Sequence, residues 1–248
     1  MKVIYILWLR ALKHYVRSPA QIVASFGQPL LYLLALGFGL GPVFEKAGQG
    51  SYLQFLAPGV IAVTVLFSGA FSGIGLLWDR QFGFLKETLV APVPRLHVMI
   101  GRTLGGATVA TIQGLLVLIL CVILGFRPGS LLATPVFLLV MVLIAVVCCA
   151  FGTVIGSRMQ SMQAYPLVMN FVMLPLFFLS GALFPLQGLP GPLQAITTLN
   201  PLSYGVDGLR GSLIGVSHFG LTWDMGVLAA VAAVFLVLGA WSFSKIEL

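Results

Sequence analysis

Charge is what this sequence has least of. Its 248 residues include 13 Lys and Arg and 6 Asp and Glu, 8% of the chain, against roughly 25% in soluble domains. With 59% hydrophobic residues, the chain carries more apolar surface than one soluble core can hide. No Asp, Glu, Lys, Arg or His lies in the middle of any long apolar run, which argues against proton relays and ion-coupled carriers, since both normally need such a group at that depth. Cysteine is scarce too. Cys121, Cys148 and Cys149 sit inside apolar runs without metal-ligand spacing, so they read as small buried hydrophobes and no disulfide framework is expected. A Gly-x4-Gly-Lys-Ser/Thr phosphate loop is missing, because the five lysines are followed by Val, His, Ala, Glu and Ile. The chain therefore cannot bind ATP in that way by itself. His14, His97 and His218 lie at run edges or in loops, so Ser180 in "LSGALF" lacks a base for intramembrane hydrolysis. No run of Lys and Arg is dense enough for a nucleic-acid surface. The apolar run after Lys2 is short, is broken by Arg10 and lacks a small-residue cleavage pattern, so no signal peptide is expected.

What the chain does have is uncharged stretches of about 20 residues, the length that crosses a ~30 Å hydrocarbon layer. They fall at 22–41, 58–78, 104–126, 132–156, 166–184 and 225–244. Runs such as "LLVLILCVILGF" do not alternate apolar with polar, which excludes the β-barrel pattern. The expected fold is an all-α polytopic membrane protein, one permease-sized domain over 1–248 with six transmembrane helices and both termini on one side. If that side is cytoplasmic, ten Lys and Arg lie inside and three (Lys46, Arg127 and Arg210) outside, as the positive-inside rule requires.

Residues 2–17 are amphipathic. Lys2, Arg10, Lys13 and Arg17 cluster on one side of a helix and Ile4, Leu7, Trp8, Ala11 and Tyr15 on the other, which suits a helix lying in the inner headgroup layer. After the second span, "WDRQFGFLKETLVAPVPRLHVMIGR" (78–102) gathers six charges. Trp78, Phe82, Leu85 and Leu89 fall on one helical face, with Asp79 and Lys86, and Arg80 and Glu87, on others. "APVP" at 91–94 ends that short helix. It reads either as a contact surface for a soluble protein or as an ordinary solvated loop. Residues 159–206 are uncharged over 48 positions, too many for one crossing, and their second half carries Pro185, Pro190, Pro192 and Pro201. A short outer helix or re-entrant hairpin fits, because irregular backbone at membrane depth must be sheltered. Asp207 and Arg210, three apart, are placed to pair on one helical side. Pro29 and Pro175 predict kinks, and "GAFSG" (69–73) and "GTVIG" (152–156) put small residues four apart where helices can approach.

Together, the 78–102 stretch and "LSGALFPLQGLPGPLQAITTLNPLSYGVDGLRG" resemble the type-2 permease family of ABC transporters, particularly its drug-resistance-like exporters, and the resemblance covers the whole chain. Asn200, Pro201, Leu202, Tyr204 and Arg210 carry its more specific part, and Arg80, Gly83, Glu87 and Pro92 the rest. Many relatives place their acidic residue one position earlier, where this sequence has Lys86. The resemblance implies a cytoplasmic coupling loop at 79–102, with Asp79, Arg80, Gly83, Lys86 and Glu87 toward an ABC ATP-binding subunit and Trp78, Phe82, Leu85 and Leu89 toward the membrane. It implies an outer hairpin region at 185–220 marked by Asn200, Pro201, Tyr204, Asp207 and Arg210, acting as a lid over an exit. It also implies a second permease chain, no cofactor of its own (ATP being bound by the partner), no catalytic group, and a place in a prokaryotic inner or plasma membrane. The cargo expected of a charge-free interior is amphiphilic or lipid-like, a drug or a lipid. A lipid-linked polysaccharide is the runner-up, and a non-transporting scaffold or sensor the alternative from another class. Single cysteines at Thr88 and Gln187 are expected to react with an impermeant thiol reagent from opposite sides of the membrane. Labelling of both from outside would overturn the six-span map.

Overall fold

The computed structural model describes residues 2–46, 51–84, 94–129, 134–185 and 190–244. Every regular element among them is helical. Helix α1 (Lys2–Val16) leads into a broken first span made of α2 (Pro19–Ala24), α3 (Gly27–Leu31), a π-helical turn (Tyr32–Leu36) and α4 (Gly37–Lys46). The second span is α5 (Tyr52–Phe71), continued after a bend by α6 (Ile74–Gln81). Then come α7 (Arg95–Ile123), α8 (Thr134–Arg158), α9 (Ala164–Phe178), α10 (Gly191–Leu199), α11 (Pro201–Ile214) and α12 (Leu221–Ser244). Among the described residues, five stretches are long and apolar enough to cross a membrane: 19–44, 52–81, 95–123, 134–158 and 221–242.

Where the sequence predicts the fifth span, at 166–184, the helix stops at Phe178. Its 15 residues reach about 22 Å at 1.5 Å per residue, short of the hydrocarbon thickness. Residues 179–184 continue in turns and bends. The hydropathy that predicts a longer span does not register Pro175, which sits in the last turn and removes one helical N–H.

Helices α5, α7 and α8 form the core, and glycine sets how closely they pack. The two small-residue motifs meet each other. A Cβ on Gly152 would stand 2.2 Å from the Ala70 carbonyl oxygen, and one on Gly156 would stand 2.7 Å from that of Gly73. Gly69 faces Cys148 and Cys149, so the cysteines are buried, unpaired packing residues. Without a hydrophobic driving force between helices in lipid, such backbone-to-backbone approach supplies the dispersion contacts that hold them together. Tyr165 at the start of α9 locks the same crossing, its hydroxyl donating to the Ala70 and Gly152 carbonyls at 2.7 and 3.1 Å.

Helix α1 does not lie alone. Its apolar face lies on protein, because Gly101 and Gly105 open a groove along α7 in which Ile4, Leu7 and Ala11 pack, and Trp8 Nε1 donates to Thr108 Oγ1 at 3.0 Å. The basic residues keep the outer side.

Gly152→Val is expected to force α5 and α8 apart, at a cost of about 1–3 kcal/mol or more for overpacking. Gly37→Ala is the control, since its backbone is helical (φ −59°, ψ −50°) and a Cβ there meets nothing within 4 Å. Thermal unfolding of the purified protein should show a lower midpoint for the first and an unchanged or slightly raised one for the second.

Candidate functional site

Two polar clusters stand out in this apolar molecule. The first closes the end of α6. Asp79 is 5% exposed, and its carboxylate accepts from Arg10 Nη2 on α1 at 2.6 Å and from Arg102 Nη2 on α7. One carboxylate thus ties three helices together. Sequence periodicity puts Asp79 on a flank beside Lys86, and the family resemblance turns that flank toward an ATPase, whereas here its carboxylate faces inward to Arg10 and Arg102. The Arg102 side chain is 14% exposed and that of Arg10 52%, so the Arg102 contact is shielded and the Arg10 contact is open to solvent. Arg80 donates from Nη1 to the Met159 carbonyl at 2.9 Å, joining the same end of α6 to the end of α8. Arg10 also stands 5.6 Å over the ring of Phe84.

Helix α6 does not run on into a longer helix through residue 84. It ends at Gln81, and Gly83 adopts φ +82°, a left-handed conformation that only glycine takes at little cost. Trp78 and Phe82 stack at 5.6 Å and are 49% and 60% exposed, so the aromatic half of the expected membrane face is open. Leu85, Lys86, Glu87 and Leu89 lie outside the described residues.

The second cluster is the hairpin of α10 and α11, whose turn is Asn200. The chain dips here: Gly205 packs on Ile144 and Gly208 on Val140, more than a turn inside the start of α8, while the Leu213 carbonyl accepts from Gly129 N–H in the loop before α8. Asn200 serves two helix ends. Its Oδ1 accepts from Leu202 N–H as the N-cap of α11, and its Nδ2 donates to the Leu176 carbonyl at 2.7 Å, in the last turn of α9. Pro201 follows at the first helical position, where its missing N–H is not needed. Tyr204 donates to the Thr198 carbonyl at 2.7 Å, closing the hairpin.

Arg210 and Asp207 do not pair. Arg210 Nη2 donates to the carbonyls of Gly181 and Phe55 at 3.1 and 3.3 Å, with its guanidinium carbon 4.0 Å above the Phe55 ring. Burial pushes its pKa down to about 10, opposed by the charge of Asp207, and it stays cationic at neutral pH. The Asp207 carboxylate accepts from the backbone N–H of His218 and Phe219, each at 2.8 Å. The turn after α11 thus captures the acid that helical spacing assigns to Arg210. Sequence reading also passes over Asp224, fully buried in the first turn of α12 beside Gly208, with neither carboxylate oxygen hydrogen-bonded among the described residues.

Asp79→Asn is expected to cost about 3–5 kcal/mol, because Arg102 is left buried and uncompensated. Arg10→Gln should cost only about 0.2–1 kcal/mol, since that partner is half exposed. Chemical unfolding of both variants measures the difference, and equal effects would show that the shielded contact with Arg102 is not the dominant one.

The profile of the ABC-2 type transporter family matches residues 2–214, which takes in the Asp79 cluster and the whole hairpin. The ycf38 protein of Porphyra purpurea is 34% identical over 200 residues, covering 78% of this chain and 68% of that one. Nodulation protein J of Rhizobium leguminosarum bv. viciae is 28% identical over 238 residues, 94% of this chain and 88% of its own length. The inner membrane transport permease YadH of Escherichia coli K12 is 30% identical over 243 residues, with 95% and 92% covered. With the profile spanning most of the sequence and apolar helices suited to a bilayer, the chain belongs to the ABC-2 type transporter family of membrane permeases.

Proposed function

We propose that the chain is the membrane subunit of an ATP-driven exporter that moves an amphiphilic or lipid-like molecule, a drug or a lipid. A separate ABC ATP-binding subunit docks on residues 79–102, binds and hydrolyses the ATP, and works on two permease chains, identical or related, whose termini face the cytoplasm of a prokaryotic cell. The name of the relative YadH, an inner membrane transport permease, supports that location. The hairpin of α10 and α11 serves as the lid over the exit.

One observation carries the reading. The charged end of α6 is fastened to α1 and α7 through Asp79 and to the end of α8 through Arg80. A push delivered at residues 79–84 therefore reaches several helices together instead of bending a free loop. Gly83 in its left-handed turn marks where the lever begins. Arg80, Lys86 and Glu87 are the charges offered to the ATPase, and Trp78 and Phe82 are the aromatic face that keeps the lever against the membrane, with Leu85 and Leu89 extending it.

Purified alone, the chain should show no ATPase activity above background. Purified with its native ATPase, it should form a complex whose hydrolysis is stimulated by cargo. Glu87→Gln should weaken the complex by about 0.2–1 kcal/mol if the contact is solvent-exposed and by more if it is buried. Leu85→Asp should leave assembly largely intact and impair export far more. Normal export and full stimulation in both variants would reduce 78–91 to a solvated loop, and hydrolysis by the isolated chain would overturn the assignment.

A further inference from the structure

The first span is irregular where an isolated membrane helix would gain nothing by it. α2 stops at Ala24, Ser25 Oγ donates back to the Ile22 carbonyl at 2.6 Å, α3 runs only from Gly27 to Leu31, and a π turn follows at Tyr32–Leu36. Interrupted helices at membrane depth persist where the freed backbone lines a protein cavity, and single π turns concentrate at functional sites. Here the interruptions border a recess of about 130 Å³ between the first span, α5 and α7.

Its lining is uncharged and mixes polar with apolar side chains. Ser25, Gln28 and Tyr32 come from the first span, Thr64 and Ser68 from α5, and Gln113 from α7, with no Asp, Glu, Lys, Arg or His among them. These groups do not simply bond to one another across the gap. Thr64 donates to the Val60 carbonyl of its own helix, leaving its oxygen free to accept, and Gln28 reaches Tyr32 at 3.2 Å along the first span. Behind them the Tyr15 hydroxyl, on a residue 3% exposed, is turned toward Gln113 and Ser25 without closing a full hydrogen bond to either. The wall around these groups is apolar: Pro29, Val60, Val63 and Phe67.

A recess with donors and acceptors of both kinds and no charge selects by neutrality. A cationic or anionic headgroup would lose its hydration there with no counter-charge to offset it, whereas hydroxyls can both donate and accept. At ~30 Å³ per water the space equals roughly four waters, enough for a glycerol-sized end and not for a whole amphiphile. We propose that this recess is a subsite for the neutral, hydroxyl-bearing headgroup of an amphiphile whose chain lies along the exposed apolar face of the first span. As a step in export it rests on the permease reading above. As a binding site it stands by itself.

The test uses the full-length chain in phosphatidylcholine nanodiscs. Ser68→Cys places a thiol on the partly exposed lining, and the wild type, whose three cysteines are buried, gives the background for reaction with N-ethylmaleimide. Should Ser68→Cys not yield monodisperse protein, Ser25→Cys takes its place. Monolaurin, a neutral diol amphiphile, should slow labelling about tenfold at saturation, while dodecyltrimethylammonium and dodecyl phosphate should leave it unchanged. Gln113→Leu should leave labelling intact and weaken monolaurin protection about tenfold or more, the loss expected when a buried polar partner is removed. Monoglucosyl diacylglycerol built into the disc separates sources: protection by it as well as by monolaurin supports a resident lipid in the subsite, and protection by monolaurin alone a diffusible amphiphile. Labelling no faster than wild type, or equal protection by the charged amphiphiles, would overturn the proposal. No arm needs the ATPase, so such a failure would leave the permease reading standing, and a missing ATPase would leave the subsite standing.

Discussion

In the hydrocarbon layer no water is at hand to take up a backbone group that a helix leaves unpaired, and each such group costs several kcal/mol. The architecture of this chain follows from that constraint. At several of the places where the described helices stop short or bend, a side chain from elsewhere supplies a partner. Asn200 meets the end of α9 and the start of α11, Tyr52 donates to the Leu183 carbonyl, Arg210 to those of Gly181 and Phe55, and Tyr165 to those of Ala70 and Gly152. Asp207 does the reverse, accepting from two N–H groups ahead of α12. The motif around Asn200 and Tyr204 is thus a set of instructions for ending helices inside the protein, and the hairpin of α10 and α11 depends on it mechanically.

Charge is distributed by the same economy. With few ionisable residues available, a single carboxylate on α6 serves two arginines on different helices. That leaves the cluster with one surplus positive charge at its end of the bundle. Arg10, the half-exposed member, carries the surplus toward solvent, where it costs little, while Arg102 holds Asp79 in the shielded interior.

Much of this was legible beforehand, because hydropathy reports burial in lipid directly. The long runs of α5, α7, α8 and α12 stand out on composition alone, and so do the two glycine motifs, though not that they pack on each other. What escaped was set by long-range partners. Asp79 bonds residues 69 and 23 positions away, so local periodicity assigned it to an outer flank. Asp207 had a suitable arginine three residues on, yet the turn at 218–219 lay nearer. The amphipathic pattern of α1 gave the apolar face correctly but not what covers it, for which Gly101, Gly105 and Thr108 on α7 were the available signal. Hydropathy overshot the end of α9 because a turn lined by Gly181, Ala182 and Leu183 is as apolar as a helix.

The crossing of α5 and α8 has a mechanical consequence. Its closest contacts are carbonyl oxygen against Cα, clamped by the Tyr165 hydroxyl on the Ala70 and Gly152 carbonyls. Sliding either helix by one residue would drive a side chain such as Phe151 or Phe71 into the opposite backbone, so the joint has one register and no neighbouring one. The two helices therefore move as a single body. Among the described residues, the broken first span and the hairpin of α10 and α11 are set around this pair as around a fixed axle.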